Sequence, residues 1–288
     1  MTHQILLYYK YINIEDPEAL MAWQKKLCEE LTLKGRIIIA KEGINGTVEG
    51  TRENTERYIE AMKADPLFAD VHWKISASDG LAFPKLSIKV RSEIVSAHLD
   101  GEDVNPTEVT GRHLNPEELH ELLKSGEEVY VVDMRNDYEH RVGHFKNSIL
   151  PPLTNFRDLP KIIPELEYLK DKKVVTVCTG GVRCEKASGY LIKKGFKDVS
   201  QLNGGIVSYM EKFPNQYFKG KLYVFDGRVT MGFDTDSPAH EIIGQCDKCN
   251  KQSENYINCN NNLCHRHFIC CVNCIETSGA FCGDQCRN

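Results

Sequence analysis

The chain has 288 residues, of which 41% are apolar, 27% charged and 9% aromatic. At ~100–200 residues per domain this length predicts two or three compact units, and the composition excludes both wholesale disorder and a membrane bundle. The 36 basic residues are outnumbered by 41 acidic ones, giving a formal net charge of -5. No global positive field marks the chain as a nucleic-acid binder, so any contact with RNA has to be local.

Neither a membrane span nor a secretion signal is visible in the sequence. The longest apolar runs, such as 37–40 and 174–177, are far shorter than the ~20 residues that a membrane helix needs. The first residues carry no basic region and no cleavage site, and Lys10 interrupts their apolar run. We therefore expect a cytoplasmic protein without membrane contact.

Residues 1–98 alternate between strand and helix patterns and form the expected first unit. Asp16 and Pro17 are suited to the N-cap and first position of a helix, and the glycine-rich segment 41–46 is suited to a hairpin loop. The predicted elements are a strand at 5–12, a helix at 17–32, strands at 35–40 and 46–50, a helix after Thr51 and a strand at 71–76. The order βαββαβ predicts a ferredoxin-like α+β domain.

One further strand carries a narrow basic stripe. Apolar and polar residues alternate strictly over 85–91, which places Lys85, Lys89 and Arg91 on one face. The stripe is either a solvated strand face or a set of contacts to RNA phosphates, and charge-changing variants separate the two. We take the three residues as candidate RNA-binding residues.

A polar, turn-rich linker is expected at 99–114, before a second unit at 115–219. Asn115, Pro116 and Glu118 form an N-cap and capping-box pattern that starts a helix. The predicted elements that follow are strands at 129–133, 173–178 and 199–202, a helix at 185–194 and a helix after Gly204 and Gly205. This alternation predicts a parallel sheet with helices on both faces.

The segment after the strand at 173–178 has the chemistry of a nucleophile site. Cys178 lies at the carboxyl end of a buried strand, and the next helix directs its first amides back towards the sulfur. Glycines let these amides turn inward and Arg183 adds positive charge, so we expect a lowered pKa for Cys178 and a thiolate nucleophile. The loop residues are Thr179, Gly180, Gly181, Val182, Arg183 and Cys184. Cys184 either resolves an oxidised or persulfidated Cys178 or only packs in the first helical turn.

Four motifs, in the right order, resemble a rhodanese domain over about Asn115 to Lys219. They are Asp133-Met-Arg135, Glu139 with Gly143-His-Phe-Lys-Asn-Ser-Ile149, the loop from Cys178 to Arg183, and Leu202-Asn-Gly-Gly205. The resemblance implies that Cys178 carries a persulfide intermediate held by the loop amides and Arg183. It also implies that Asp133 and Arg135 shape the active-site loop rather than perform chemistry.

The whole chain resembles the bacterial rhodanese-related tRNA uridine hydroxylases. It shares with them an acylphosphatase-like first unit, a rhodanese domain with Cys-Thr-Gly-Gly-Val-Arg-Cys-Glu-Lys, and a cysteine-rich tail. The resemblance implies a tRNA partner whose wobble uridine, at position 34, becomes 5-hydroxyuridine, with molecular oxygen as co-substrate and Cys178 essential. A partner protein that donates sulfur or electrons is left open.

No motif for a nucleotide or flavin cofactor follows any predicted strand. His98 and Asp100 have the spacing of two ligands of a non-haem iron site. We attribute this spacing to chance in a polar segment.

The tail, residues 220–288, holds nine of the twelve cysteines. So small a unit needs disulfides or a metal to fold, and in a reducing compartment structural zinc is preferred over the alternative of disulfides. Eight of the cysteines form four chelating pairs, which suggests two zinc sites. The pairs are Cys246 with Cys249, Cys259 with Cys264, Cys271 with Cys274, and Cys282 with Cys286. They combine either in sequence or interleaved, and Cys270, His265 and His267 are spare ligands.

Two other functions stay open at this point. A general sulfurtransferase, which moves sulfur from thiosulfate or a persulfide to a thiol, needs only the rhodanese loop. A zinc-bearing adaptor with an inert loop requires an ordinary thiol pKa for Cys178. The hydroxylase requires that replacing Cys178 removes the 5-hydroxy group from wobble uridine.

Overall fold

A computed structural model describes residues 2–99, 101–102, 104–264 and 266–287. The first unit is a five-stranded sheet with two helices. Its elements are β1 (His3–Tyr11), α1 (Pro17–Glu30), β2 (Lys34–Ala40), β3 (Gly43–Thr51), α2 (Arg52–Ala64), β4 (Lys74–Ser78) and β5 (Leu86–Val90). The strand order β4-β1-β3-β2-β5 confirms the predicted ferredoxin-like arrangement, with β5 added parallel to β2.

Local sequence signals set the two helices as expected. The Asp16 carboxylate accepts hydrogen bonds from the amides of Glu18 and Ala19, and Thr51 caps α2 through the amide of Asn54. Both helices pack on one face of the sheet, where Tyr8, Cys28 and Tyr58 are fully buried in the core. The opposite face of this sheet is free to meet the rest of the chain.

The hairpin between β2 and β3 differs from the prediction. The connection is only Lys41 and Glu42, so Asn45 lies within β3 rather than in a loop. Gly43 allows this tight turn, since its φ is 146° and a Cβ there would lie 2.0 Å from the carbonyl oxygen of Lys10. Strand alternation then places Asn45 and Thr47 on the face opposite the helices, because Ile44 and Val48 are in the core.

The second unit is a parallel α/β layer structure. Its elements are β6 (Arg112–Leu114), α3 (Pro116–Ser125), β7 (Tyr130–Asp133), α4 (Asp137–His140), β8 (Gly143–Phe145), α5 (Leu159–Leu166), β9 (Lys173–Val177), α6 (Val182–Lys193), β10 (Asp198–Leu202) and α7 (Gly205–Lys212). The sheet order is β6-β10-β9-β7, and every pair is parallel. Helices α5 and α6 pack on one face and α3 and α7 on the other, which confirms the predicted fold class.

The predicted linker is packed rather than solvated. Leu99 and Val104 of this segment, together with Ala97 just before it, are buried in the core of the second unit. Strand β6, at the end of this segment, pairs with β10 and so belongs to the second sheet. Apolar residues scattered among polar ones concealed this packing in the sequence.

The tail is built from short pieces: β11 (Phe218–Gly220), β12 (Leu222–Tyr223), β13 (Thr230–Met231), β14 (Tyr256–Asn258), β15 (His267–Ile269) and α8 (Val272–Ser278). Strand β11 pairs with β8 and attaches the tail to the second unit. Its innermost cluster consists largely of cysteines, with Phe268 as the buried aromatic residue. Within the described ranges, no helix is both long and apolar enough to cross a membrane.

Candidate active site and cysteine clusters

Cys178 directly follows β9, at the carboxyl end of the parallel sheet. The backbone amide of Gly181 donates to the Cys178 sulfur over 3.3 Å. Gly181 has a φ of 103°, a conformation that favours glycine, and helix α6 begins at the next residue. The loop therefore wraps N–H groups around the sulfur, as an anion-binding nest does.

The sulfur environment favours the thiolate. Burial opposes ionisation of Cys178, but the thiol of Cys184, the charge of Arg183 and the backbone amides of these two residues outweigh it and lower the pKa of Cys178 to about 6. Burial raises the pKa of Cys184 well above its ordinary value, and its hydrogen bond to Cys178 adds to this rise. Cys184 thus stays protonated beside the ionised Cys178, and both the resolving role and the packing role that the sequence leaves open stay predictions.

Arg183 is held by a carboxylate. Its guanidinium donates to Glu139 over 2.5 and 2.8 Å and to the Thr179 hydroxyl over 3.3 Å, and Glu139 is fully buried. Sequence reasoning named Glu139 only within a motif and missed this pairing, which fixes the guanidinium beside the loop.

Asp133 and Arg135 form a fully buried ion pair of 2.6 Å. The Arg135 guanidinium also donates to the carbonyl of Gly143 over 2.7 Å, so the pair ties the end of β7 to β8. Neither residue lines the cavity described next. Their expected role in shaping the loop stays a prediction.

A cavity of about 320 Å³ lies over the Cys178 loop. One wall is the helix-free sheet face of the first unit, which contributes Leu7, Asn45 and Thr47. The loop of the second unit forms the opposite wall, and Phe225 of the tail completes the enclosure. Cys178 lines this cavity, although its side chain is buried. The three units therefore build one site.

Strand β1 is seated directly on the loop glycines. A Cβ on Gly180 would lie 2.9 Å from Leu7, and one on Gly181 would lie 2.7 Å from the Tyr9 hydroxyl. That hydroxyl donates to Glu185 of α6 over 2.9 Å. The sequence predicted that these glycines form the anion-binding nest. Because they have no side chain, they also let β1 of the first unit pack against the loop. The residues on the outward face of β1 could have indicated this contact, but the sequence analysis did not use them.

The candidate RNA-binding stripe borders the same cavity. In the parallel pair of β2 and β5, Ile38 is opposite Lys89, so the stripe shares its face with Arg36 on the cavity wall. Among residues with described positions, Lys85, Lys89 and Arg36 have no carboxylate partner, and Arg91 bonds only the carbonyl of Val90. Exposed, uncompensated cations at a cavity mouth suit contact with phosphates.

Lys74 is a buried cation that the sequence did not reveal. Its ammonium lies 4.6 Å from the centre of the Tyr9 ring, and only 6% of the residue is exposed. Burial lowers the pKa of Lys74 to about 8. The sequence offered no signal for it, since an isolated lysine at a strand start is ordinary.

The tail brings eight cysteines into two groups, each with its sulfur atoms within 4.8 Å of one another. The groups are Cys246, Cys249, Cys271 and Cys274, and Cys259, Cys264, Cys282 and Cys286. The pairs are therefore interleaved, the first with the third and the second with the fourth.

The donor set fits a tetrahedral metal ion. All cysteines are free thiols, and sulfur–sulfur distances are 3.6 Å for Cys249 with Cys271 and 3.5 Å for Cys264 with Cys282. Zn–S bonds of ~2.3 Å require a tetrahedral edge of ~3.8 Å. The amide of Cys271 also donates to the Cys246 sulfur over 3.4 Å, as outer-shell groups of zinc sites do. Each group could bind a metal ion such as zinc.

The other suggested ligands lie elsewhere. Cys270 is buried outside both groups, and the ring of His267 is 2.5 Å from the Tyr223 hydroxyl. His98 is exposed and lies near Glu93. His265 and Asp100 fall outside the described residues.

Two features define a rhodanese-like domain: the parallel sheet, and the loop after β9 whose backbone amides point at the Cys178 sulfur. Family models match the chain in order: the UPF0176 acylphosphatase like domain over residues 3–94, the rhodanese-like domain over 115–212 and the Rhodanase C-terminal domain over 219–287.

Curated relatives named tRNA uridine(34) hydroxylase match nearly the full length. One from Cytophaga hutchinsonii is 47% identical over 285 residues, covering 99% of this chain and 90% of the relative. One from Bacillus cytotoxicus is 44% identical over 288 residues (99% and 88%), and one from Staphylococcus carnosus is 43% identical over 291 residues (96% and 90%). The chain belongs to the tRNA uridine(34) hydroxylase family, which confirms the resemblance drawn from its motifs.

Two solved structures of rhodanese-like proteins are similar to part of this chain. A rhodanese-related protein from Thermoplasma volcanium is 28% identical with a TM-score of 0.30, and covers 35% of this chain and 93% of its own. A rhodanese-like domain protein from Staphylococcus aureus is 29% identical with a TM-score of 0.30, and covers 34% of this chain and 90% of its own.

Proposed function

We propose that this protein hydroxylates C5 of the wobble uridine in tRNA, with molecular oxygen as co-substrate and Cys178 as the catalytic cysteine. The observation that carries the proposal is the cavity over Cys178, whose walls come from all three units. Relatives that match nearly the whole of this chain are named tRNA uridine(34) hydroxylase. A protein that acts on tRNA in this way works in the cytoplasm.

The cavity suits one nucleoside rather than a folded partner. Its volume of about 320 Å³ is at the lower end of the ~300–1,000 Å³ typical of ligand pockets. A nucleotide of the anticodon loop is unpaired, so turning its base into such a pocket costs little. Lys85, Lys89 and Arg91 then serve as contacts for neighbouring phosphates along the strand that borders the mouth.

The reaction replaces the C5–H bond by C5–OH. One oxygen atom of O₂ enters the base and the other leaves as water, with two electrons and two protons supplied by an external reductant. On the protein side, attack of the Cys178 thiolate on the sulfane sulfur of thiosulfate or of a persulfide donor releases sulfite or the donor's thiolate. The outer sulfur of the resulting persulfide lies ~2 Å beyond the buried Sγ. That extension leads into the cavity where the base is bound.

A general sulfurtransferase is the second candidate, favoured by the rhodanese-like loop itself. Its thiol acceptor has to reach Cys178 through the cavity, because the cysteine side chain is buried beneath the first unit. An inert adaptor is disfavoured because the pKa of Cys178 is lowered to about 6. In either case the two cysteine groups of the tail hold zinc in a structural role.

The test uses purified full-length protein, unmodified tRNA, a reductant and air, followed by mass spectrometry of digested nucleosides. We expect 5-hydroxyuridine with wild type and with Cys28→Ala, a control in the core of the first unit. No product is expected with Cys178→Ala or without oxygen. Unaltered tRNA together with rapid transfer of sulfur from thiosulfate to a thiol would instead establish the sulfurtransferase.

A further inference from the structure

Asn45 is the amide-bearing residue that the first unit presents to the cavity from the middle of its sheet. It lies on β3, opposite Tyr9 on one neighbouring strand and Ile38 on the other. All three side chains line the cavity that also contains Cys178.

One hydrogen bond fixes which end of the Asn45 amide faces the cavity. The Nδ2 group donates to the carbonyl oxygen of Ile94 over 3.1 Å, and Ile94 is fully buried. A carbonyl only accepts, so the opposite orientation of the amide loses this bond. Oδ1 is therefore an acceptor, and no donor from the described segments of the chain reaches it.

The second unit contributes another amide to the same cavity. Asn136 is 9% exposed, and its amide group lies 2.8 Å from the Tyr138 hydroxyl, which can accept from Nδ2 or donate to Oδ1. No carboxylate lines this cavity within the described residues, and its cationic residues are Arg36, Arg157 and Arg183.

These groups match one nucleobase. Uracil offers an N3–H donor between two carbonyl oxygens, which suits an amide acceptor with arginine donors nearby. Cytosine presents an N3 lone pair at the same position, and that lone pair would face the amide oxygen. The apolar remainder of the wall, such as Leu7 and Phe156, suits the faces of a base.

We propose that the cavity is a uracil-binding site in which Oδ1 of Asn45 accepts the N3–H of the flipped base and so selects uridine over cytidine. The ferredoxin-like unit thereby supplies the specificity residue for chemistry at a cysteine of another unit. The inference rests on the proposed function for the identity of the RNA, but its test measures binding and needs no turnover.

The experiment measures anticodon stem-loop RNAs with uridine, cytidine or 3-methyluridine at position 34 binding to full-length Cys178→Ala protein, by fluorescence anisotropy. We expect the uridine RNA to bind about tenfold more tightly than the other two, which lack the donor. Adding Asn45→Ala should lower the affinity for the uridine RNA about tenfold and change the affinity for each of the other two RNAs by no more than about twofold. Asn54→Ala, an asparagine of α2 outside the cavity lining, is the matched control and should keep the full preference.

Equal affinity for the uridine and 3-methyluridine RNAs overturns the proposal without any Asn45 variant, so poor folding of Asn45→Ala cannot obscure it. A tenfold preference retained by a folded Asn45→Ala protein overturns it too. Hydroxylation of tRNA without a binding preference leaves the proposed function standing and removes the uracil site. A preference for uridine that depends on Asn45, without formation of 5-hydroxyuridine, would support the uracil site and contradict the proposed function.

Discussion

At the scale of single residues, the ionisation of Cys178 results from two opposed effects. Burial removes water from the sulfur and favours the neutral thiol, whereas the Cys184 thiol, Arg183 and the loop amides stabilise the anion and prevail. The short glycine-containing loop after a buried strand made the lowered pKa of Cys178 predictable from the sequence. The ion pair between Glu139 and Arg183 was not predictable, since no local spacing links residues 44 positions apart.

The pH dependence of alkylation tests this balance. Because the pKa is lowered to about 6, the thiolate fraction of Cys178 should rise with pH and reach half its maximum near pH 6. A free thiol reaches half ionisation only near pH ~8.5. The rate of iodoacetamide modification at Cys178, followed by peptide mass spectrometry, measures it. The folded pKa lies below the unfolded one, so the thiolate's contribution to stability is complete above ~8.5 and is lost as the pH falls through 6.

Cys28 is the internal comparison for that experiment, because burial raises its pKa to about 12. Its modification should stay slow over the same pH range. A Cys178 midpoint above 8 would falsify the thiolate assignment.

At the scale of elements, the decisive contact is between strand β1 and the Cys178 loop. Alternation along the strands predicted the face that packs on α1 and α2, but the use of the other face depends on a partner distant in sequence. Asn45 illustrates this: its Gly-Ile-Asn-Gly context is typical of a loop, and the close approach of Gly43 to β1 extends the strand through it. Tertiary pairing overrode local turn propensity.

Gly181→Ala should damage the site more than its backbone conformation alone explains. Gly181 and Gly195 both have positive φ, but only at Gly181 does an added Cβ meet another residue, the Tyr9 hydroxyl at 2.7 Å. Each substitution costs about 1 kcal/mol for the backbone, and Gly181→Ala should cost a further ~1–3 kcal/mol of overpacking. Thermal unfolding compares the variants.

Removing the Tyr9 hydroxyl provides the control for this prediction. Tyr9→Phe alone loses the hydrogen bond to Glu185 and sets the baseline. Adding Gly181→Ala to Tyr9→Phe should cost less stability than adding it to wild type, since the nearest clashing atom is then absent. Equal unfolding temperatures for Gly181→Ala and Gly195→Ala would show that β1 does not press on the loop.

The basic stripe of β5 makes a prediction about salt. If Lys85, Lys89 and Arg91 contact phosphates, changing each to glutamine should reduce the slope of log affinity against log salt by ~0.7 per residue. Titrations of tRNA between ~50 and ~200 mM salt measure the slope. Lys25 and Lys26 on α1 are exposed and paired with Glu29 and Glu30, so their glutamine variants should leave the slope unaltered. An unchanged slope in the β5 variants would mark the stripe as solvated surface.

At the scale of the whole molecule, three units that the sequence separates converge on one cavity. Composition predicted a metal-binding tail, because its cysteines are too many for a core of its size. Which two cysteine pairs form one group depends on how the chain of the tail folds, and the spacing of the cysteines in the sequence does not determine this. The interleaved groups are thus a result of the three-dimensional structure.

Metal content of cysteine variants tests the interleaved arrangement. Wild type should hold about two zinc ions per chain, and Cys249→Ala and Cys264→Ala should each lose one, because each removes a ligand from a different group. Elemental analysis with thiol titration measures this. Cys270→Ala, outside both groups, should retain both ions. A protein without zinc and without free thiols would point to disulfides.

Because Leu7 and Tyr9 lie against the loop glycines, the surfaces of the first two units cannot diverge independently. A larger residue in the loop becomes tolerable only alongside a smaller one on the strand, so compensating substitutions should accumulate across this boundary as lineages separate. The first unit is therefore part of the catalytic site. A chimeric protein that takes only its first unit from a distant relative should have a cavity wall that fits poorly against the Cys178 loop.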